Sequence, residues 1–258
     1  MIATTFPAVL GNEISGVVEE VGAGVTTWRA GDRVAGFITS GAYAEFALTT
    51  PDRLAAVPAE LDLASAATIP TAAEAAQRGL GLLELPDDLT GMTALVNASA
   101  GAVGGAAVQL LAARGATVIG TASPENHDYV RALGAIPVRY GESLLDDLAA
   151  VSPDGIDVAF DAGGRGFVDQ VIELVASDRI VTIVDFAAGA KGARVAGGDP
   201  FALTAATLPP VLTAASAARF RVEIDSIRPL DEVEDAHRRS DAGHLRGKIL
   251  LRVGADAR

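Results

Sequence analysis

Hydrophobic and polar positions divide the chain into three zones. From Pro7 to about Pro58 the apolar residues fall in short β-branched or alternating runs broken by glycine, as in Ile14-Ser15-Gly16-Val17-Val18-Glu19-Glu20-Val21-Gly22. Gly31-Asp32-Arg33-Val34 reads as a turn feeding a strand. Tyr43-Ala44-Glu45-Phe46-Ala47-Leu48 alternates with a period of two and stops at Pro51. This zone predicts a small antiparallel barrel or sandwich. From Leu61 to about Gly198, apolar strands alternate with Ala-rich helical stretches, the pattern of a parallel sheet. The predicted strands are residues 93–98, 117–121, 136–139, 157–161 and 179–184. From Asp199 the chain reads helix, strand (220–224), helix (230–240), strand (248–253). There is no internal repeat and no low-complexity linker.

Composition narrows the function. With 258 residues, 50% of them hydrophobic, the chain can build one large domain or two ordinary ones. Its 33 acidic against 20 basic residues give a net charge of −13, which repels phosphate backbones and argues against a nucleic-acid partner. A cysteine count of 0 excludes disulfides, thiolate nucleophiles and every zinc site built on Cys. Of the three histidines, His127, His237 and His244, none sits in a metal-like cluster. The long weakly charged stretch 92–111 is broken by Gly101, Gly104 and Gly105 and carries Asn97, Ser99 and Gln109, so no membrane partner is expected. Residues 1–7 show neither a basic n-region nor an apolar h-region, so no signal peptide is read and a cytoplasmic protein is expected.

The richest chemistry lies where the predicted strand 93–98 runs into Ser99-Ala100-Gly101-Ala102-Val103-Gly104-Gly105 and an Ala-rich helix begins. Glycine at 101 lets a diphosphate approach the backbone, and glycine at 104 lets the helix pack on the strand. The helix start presents free N–H groups and a positive dipole to the anion. Ser99 replaces the first glycine of the usual G-x-G-x-x-G, but a second strand follows at βαβ spacing. Dinucleotide binding is therefore expected ahead of simple close packing. NAD sites place an acid at the end of the following strand to hold the ribose hydroxyls. Here that end reads Gly120-Thr121-Ala122-Ser123, and the first acid, Glu125, lies past Pro124. A 2′-phosphate is not repelled there, and Ser123 can donate to it. His127, Arg139 and Tyr140 either complete that pocket or are ordinary loop residues. The cofactor expected is NADP(H).

In order along the chain, these motifs resemble the zinc-free medium-chain dehydrogenases/reductases, especially the quinone oxidoreductase-like and enoyl reductase-like branches. The matching residues are Phe6-Pro7-Ala8-Val9-Leu10-Gly11-Asn12-Glu13, then Gly16, Val18, Val21-Gly22, Gly31-Asp32-Arg33-Val34 and Gly41-Ala42-Tyr43-Ala44-Glu45. Ala66-Ala67-Thr68-Ile69-Pro70, the turn Ser99 to Gln109, Leu133-Gly134-Ala135, Asp157-Val158-Ala159-Phe160-Asp161 and Gly247-Lys248-Ile249-Leu250-Leu251 complete the series. The resemblance implies an α/β protein: a Rossmann doubly wound parallel sheet (71–198) inserted in a truncated GroES-like β-barrel domain made of 1–70 and 199–258. It implies a diphosphate on Ser99, Ala100, Gly101, Ala102, Val103 and Gly104, with the adenosine phosphate near Thr121, Ser123, His127 and Tyr140. Ala162, Gly163, Asp185, Phe186 and Ala187 would border the nicotinamide. Asp161 more simply ends a strand, and Phe186 more simply packs.

Departures shape the expected chemistry. Zinc-dependent relatives carry His where this chain has Asn12, so no metal is expected. Members often have Thr where Ala75 stands, a position that would touch the nicotinamide. The family usually has several dozen residues before the Phe-Pro. Their absence here implies either a start codon assigned too late or a genuinely shortened protein. The expected reaction is hydride transfer from NADPH to an electrophilic acceptor, a quinone or an activated C=C, with no convincing proton donor. His237 and His244 read as solvated surface, and Lys248 as a cofactor neighbour or a surface lysine. A non-catalytic NADP(H)-binding protein is the rival; a methyltransferase would fit the glycine turn but not the flanking motifs. Residues 191–196 fall at the last Rossmann strand, an edge that commonly pairs with its copy, so a homodimer is expected.

Overall fold

The computed structural model describes residues 7–38, 41–199, 203–243 and 245–254. His244 and the residues before Pro7 discussed above lie outside them. The chain divides into two compact units: Met1–Thr71 with Asp199–Arg258, and Ala72–Gly198.

In the first unit, β1 (Glu13–Val17) pairs antiparallel with β2 (Arg33–Phe37), and β2 with β3 (Leu54–Ala56). Gly31, at φ +92°, makes the turn into β2 that its sequence predicts. Gly36 is required by a close approach, since a Cβ there would lie 2.0 Å from the Arg53 carbonyl oxygen. The Arg33 side chain reaches out of β2 to the carbonyls of Pro58 and Ala59 (both 3.0 Å) and Leu61 (2.5 Å). It thereby ties down the connection to the short helix α1 (Leu63–Ala67), which Asp62 caps by accepting from the Ser65 amide at 2.8 Å.

The second unit contains most of α2 (Ile69–Leu82) and then alternates strand and helix: β4 (Thr93–Asn97), α3 (Ala102–Ala112), β5 (Thr117–Ala122), α4 (His127–Ala132), β6 (Ala135–Arg139), α5 (Leu144–Val151), β7 (Val158–Asp161), α6 (Phe167–Val171), β8 (Ile180–Thr182) and β9 (Arg194–Val195). All six strands are parallel, in the order β6-β5-β4-β7-β8-β9. This is the doubly wound Rossmann arrangement, whose strand order reverses between β4 and β7. Central strands are buried on both faces, which is why they read as continuous apolar runs. Leu95, Ile119, Val138, Ala159 and Ile180 join Leu144, Leu148, Phe167 and Val168 in one buried cluster. Phe160 packs against Gly79 of α2, where a Cβ would come within 2.5 Å of its ring.

The remaining segment holds α7 (Leu208–Ser216), β10 (Ile224–Pro229), α8 (Val233–Asp241) and β11 (Lys248–Arg252). β10 and β11 form a separate two-stranded parallel sheet across α8.

Two local expectations are corrected. Residues 43–48 form bends (43–46) and irregular chain rather than a strand, with Phe46 72% and Leu48 92% exposed. Tyr43 donates its amide to the Leu10 carbonyl (2.9 Å), but no ladder of the described residues continues from it. Alternation alone does not make a strand when no partner takes up the backbone groups. The strand predicted at 220–224 instead begins at Ile224, where the register with Lys248 starts. Phe220 and Val222 are buried in irregular chain, so their apolar character reflects burial and not pairing.

Candidate functional site

Parallel sheets place ligands at the carboxyl ends of their strands, at the point where strand order reverses. Here that point lies between the last residues of β4 and β7, Asn97 and Asp161, which are register partners. The β4–α3 turn leaves it. Ala98 holds a positive φ of 59°, Ser99 returns its amide (3.0 Å) and hydroxyl (2.9 Å) to the Thr121 carbonyl, and Gly101 donates back to the Ala98 carbonyl at 3.0 Å. The first helical bond of α3 runs from Gly105 to Gly101 (2.8 Å). The amides of Ala102, Val103 and Gly104 therefore precede it without intrahelical acceptors.

Glycine has different reasons at two positions of this turn. A Cβ on Gly104 would lie 2.2 Å from the Ala98 carbonyl oxygen and 2.7 Å from its carbon, so helix and turn can approach only with glycine. A Cβ on Gly101 would meet the Ala98 oxygen alone, at 3.3 Å. The approach of helix and turn is therefore much closer at 104 than at 101. Ala100 is buried, and Ala102 and Val103 are half-buried beside it.

On the β5–β6 side, Ala122 pairs with Arg139, which brings Ser123 and Tyr140 to the same level just past the two strand ends. Ser123 is 8% exposed and its hydroxyl oxygen accepts from the Asn126 side-chain Nδ2 at 3.1 Å. His127 opens α4 four residues on, and its Nε2 is buried without a partner. Arg139 and Tyr140 are exposed. A buried imidazole nitrogen lacking a partner beside a strand end without a carboxylate fits an incoming hydrogen-bonding ligand. Ser99 and Thr121, in contrast, are fully buried with hydroxyls committed inside the protein.

On the β7–β8 side, Ala162 and Gly163 are half-buried, Asp185 accepts from the Ala187 amide at 3.1 Å, and Phe186 (65% exposed) and Ala187 face outward. Beneath them runs a row of polar side chains, of which sequence reading assigned only Thr121 to the site. Thr121 donates to the Asn97 carbonyl oxygen (2.6 Å), Asn97 donates to Asp161 (2.8 Å), and Thr182 donates to Asp161 (2.9 Å). The available signal was a polar residue closing three apolar strands, at Asn97, Asp161 and Thr182, and one just before the end of a fourth, at Thr121. Gly120 was also missed: a Cβ there would come within 2.6 Å of the Ser99 hydroxyl, so the serine and this glycine are matched.

In the first unit, Lys248 forms an ion pair with Glu13, whose other oxygen accepts from the Thr71 amide at 2.9 Å. Tyr43 lies 3.3 Å from His237 Nε2; burial, and then the negative charge of Glu13, raises its phenol above the ordinary range. Among the described residues no group of three or more His, Cys, Asp or Glu is arranged to hold a metal ion. No helix of the described residues is long and apolar enough to cross a membrane.

This fold and turn define a dinucleotide-binding α/β protein, and comparison with known proteins gives its family. The family model described as an alcohol dehydrogenase GroES-like domain matches residues 1–59, and the one described as a zinc-binding dehydrogenase matches residues 133–251. A chloroplast envelope quinone oxidoreductase homolog of Arabidopsis thaliana is 31% identical over 95% of this chain and 80% of its own length. Dehydrogenase pigH of Monascus ruber is 32% identical over 70% of this chain, which spans only 56% of that protein. The structure of the quinone oxidoreductase from Coxiella burnetii superposes with a TM-score of 0.84 at 30% identity, covering 96% of this chain and 80% of that one. The chain belongs to the medium-chain dehydrogenase/reductase family, in its quinone oxidoreductase- and enoyl reductase-like branch. Membership implies a nicotinamide cofactor. The free amides at the start of α3 and the unpartnered His127 nitrogen fit such a group.

Proposed function

We propose that this chain is a cytoplasmic, NADPH-dependent oxidoreductase that delivers hydride, without zinc, to a small electrophilic acceptor: a quinone or an activated C=C bond of an enone or enoyl group. The observation that carries it is the end of β5, where Ser123 and the unpartnered His127 stand in place of a carboxylate. A bound nicotinamide supplies the hydride. The chain's own residues bind and orient. The amides of Ala102, Val103 and Gly104 hold the diphosphate, Ser123 and His127 receive the 2′-phosphate, and Ala162, Gly163 and residues 184–187 border the nicotinamide. Quinones and enones are electrophilic enough to need no Lewis acid, which agrees with a cysteine count of 0. The quinone oxidoreductase names of the Arabidopsis and Coxiella proteins support the acceptor class.

Fluorescence titration with NADPH and NADH tests this, with NADPH expected to bind roughly tenfold or more tightly, about 1.4 kcal/mol. Equal or tighter NADH binding overturns the cofactor assignment. NADPH consumption with a quinone or enone completes the test; tight binding without turnover on either would move the reading to a non-catalytic NADP(H)-binding protein. The same chain is proposed to form a homodimer through β9, the last strand in the sheet order. A monomer in sizing experiments at micromolar concentration would contradict that.

A further inference from the structure

Asp161 is 0% exposed and accepts four hydrogen bonds. Its Oδ1 takes the Asn97 side-chain amide at 2.8 Å and the backbone amides of Gly163 (3.0 Å) and Gly164 (2.8 Å). Its Oδ2 takes the Thr182 hydroxyl at 2.9 Å. Thr182 in turn accepts from the amides of Val184 (3.2 Å) and Asp185 (2.9 Å), so its single proton is left for Asp161. Asn97 is oriented from its other end, where Thr121 donates to its carbonyl oxygen, and its NH2 therefore faces Asp161. The Asn97 amide also reaches the Gly164 carbonyl at 3.4 Å, in one of the loops that Asp161 holds. No ion pair of the described residues reaches the Asp161 carboxylate.

Burying a charge without a cation is costly unless it is fully hydrogen-bonded, and the end of an apolar strand does not need one. What the charge does here is gather backbone. The two loops after β7 and β8 both hang from it, one directly and one through Thr182.

We propose that Asp161 is a positioning residue: its carboxylate locks loops 162–164 and 184–185 into one arrangement that receives the nicotinamide half of the cofactor. This rests on the dinucleotide reading above. The adenosine half lies on the β5–β6 side, whose loop this carboxylate does not touch.

Replacing Asp161 by Asn leaves an NH2 facing a Thr182 oxygen whose lone pairs are already taken, and leaves the Thr182 proton without an acceptor. The loops should then loosen without changing the adenosine side. The test compares D161N, T182V and T182S with wild type. It measures amide exchange in the free protein and affinity for NADPH and for 2′,5′-ADP, the adenosine half alone. In D161N and T182V the Val184 and Asp185 amides should exchange faster, and in D161N those of Gly163 and Gly164 as well. NADPH affinity should fall about tenfold while 2′,5′-ADP affinity stays within about twofold, and T182S should resemble wild type because it keeps the hydroxyl. Equal loss of both ligands, or unchanged exchange and NADPH affinity, overturns the proposal. If D161N does not fold, the contrast between T182V and T182S carries the same decision. If wild type binds neither ligand, the dinucleotide reading fails and exchange alone decides whether Asp161 anchors both loops.

Discussion

On the β7–β8 side of the sheet, the groups that shape the site are Asn97, Asp161 and Thr182, all buried and all hydrogen-bonded to one another or to loop backbone. On the β5–β6 side they are Ser123, His127, Arg139 and Tyr140. The last two are exposed, and Ser123 accepts from the Asn126 side-chain amide at 3.1 Å. The contrast separates two tasks. A ring must be held against an acceptor in one geometry, and a satisfied buried network supplies that rigidity. A phosphate needs complementary groups, and those here make few bonds to the rest of the fold, so they can be exchanged one at a time with less disturbance. Substitutions on the first side should therefore change geometry and stability together, while those on the second should change preference alone.

The largest break of that contrast is expected at the turn that serves both halves. In Gly104→Ala the new methyl would stand 2.2 Å from the Ala98 oxygen, a backbone atom that cannot swing aside. Relief requires α3 to move away from the turn, at a cost of about 1–3 kcal/mol for an overpacked site. NADPH and 2′,5′-ADP binding should both fall by roughly tenfold or more, because the displaced amides are those that face the diphosphate. Calorimetric titration with both ligands checks this; retained affinity for either would mean that the α3 start does not hold the diphosphate.

Ser123→Asp should act on the β5–β6 side alone. The added carboxylate stands just past β5, where relatives that bind NAD place an acid, and it repels a 2′-phosphate. NADPH affinity should drop about tenfold relative to NADH, with little change in the unfolding midpoint. An unchanged ratio would show that the 2′-phosphate lies elsewhere.

The sheet was legible in the sequence because its central strands are buried on both faces and read as continuous apolar runs; predicted and observed strands differ by no more than three residues at either end. The glycine turn was legible for the same reason, since strand, small residues and Ala-rich helix follow without interruption. The polar row was not. Asn97, Asp161 and Thr182 are 85 residues apart from first to last along the chain (182 − 97), and nothing local says that three strand-closing polar residues share a level. Only the register pairs 97 with 161 and 161 with 182. Residues 43–48 failed for the converse reason: their alternation is local, but strand formation depends on a partner that the local pattern does not contain.

The smallest expected effect sharpens the contrast by touching neither side. Asp62 caps α1 in the first unit, accepting from the Ser65 amide (2.8 Å) and hydroxyl (2.6 Å). The hydroxyl bond, chiefly, holds its carboxyl below the ordinary range against a smaller opposing effect of burial. Asp62→Ala should cost about 1 kcal/mol, the usual loss for a removed N-cap. Because the folded carboxyl titrates lower than the unfolded one, its contribution is complete above the unfolded value and disappears as pH falls through the folded value. The stability gap between wild type and variant, read from urea unfolding, should therefore be full at neutral pH and close in acid. NADPH and 2′,5′-ADP affinities should match wild type throughout. A variant that lost stability and either affinity together would show that stability anywhere in the chain feeds into binding, and the division between the two sides of the sheet would then lose its meaning.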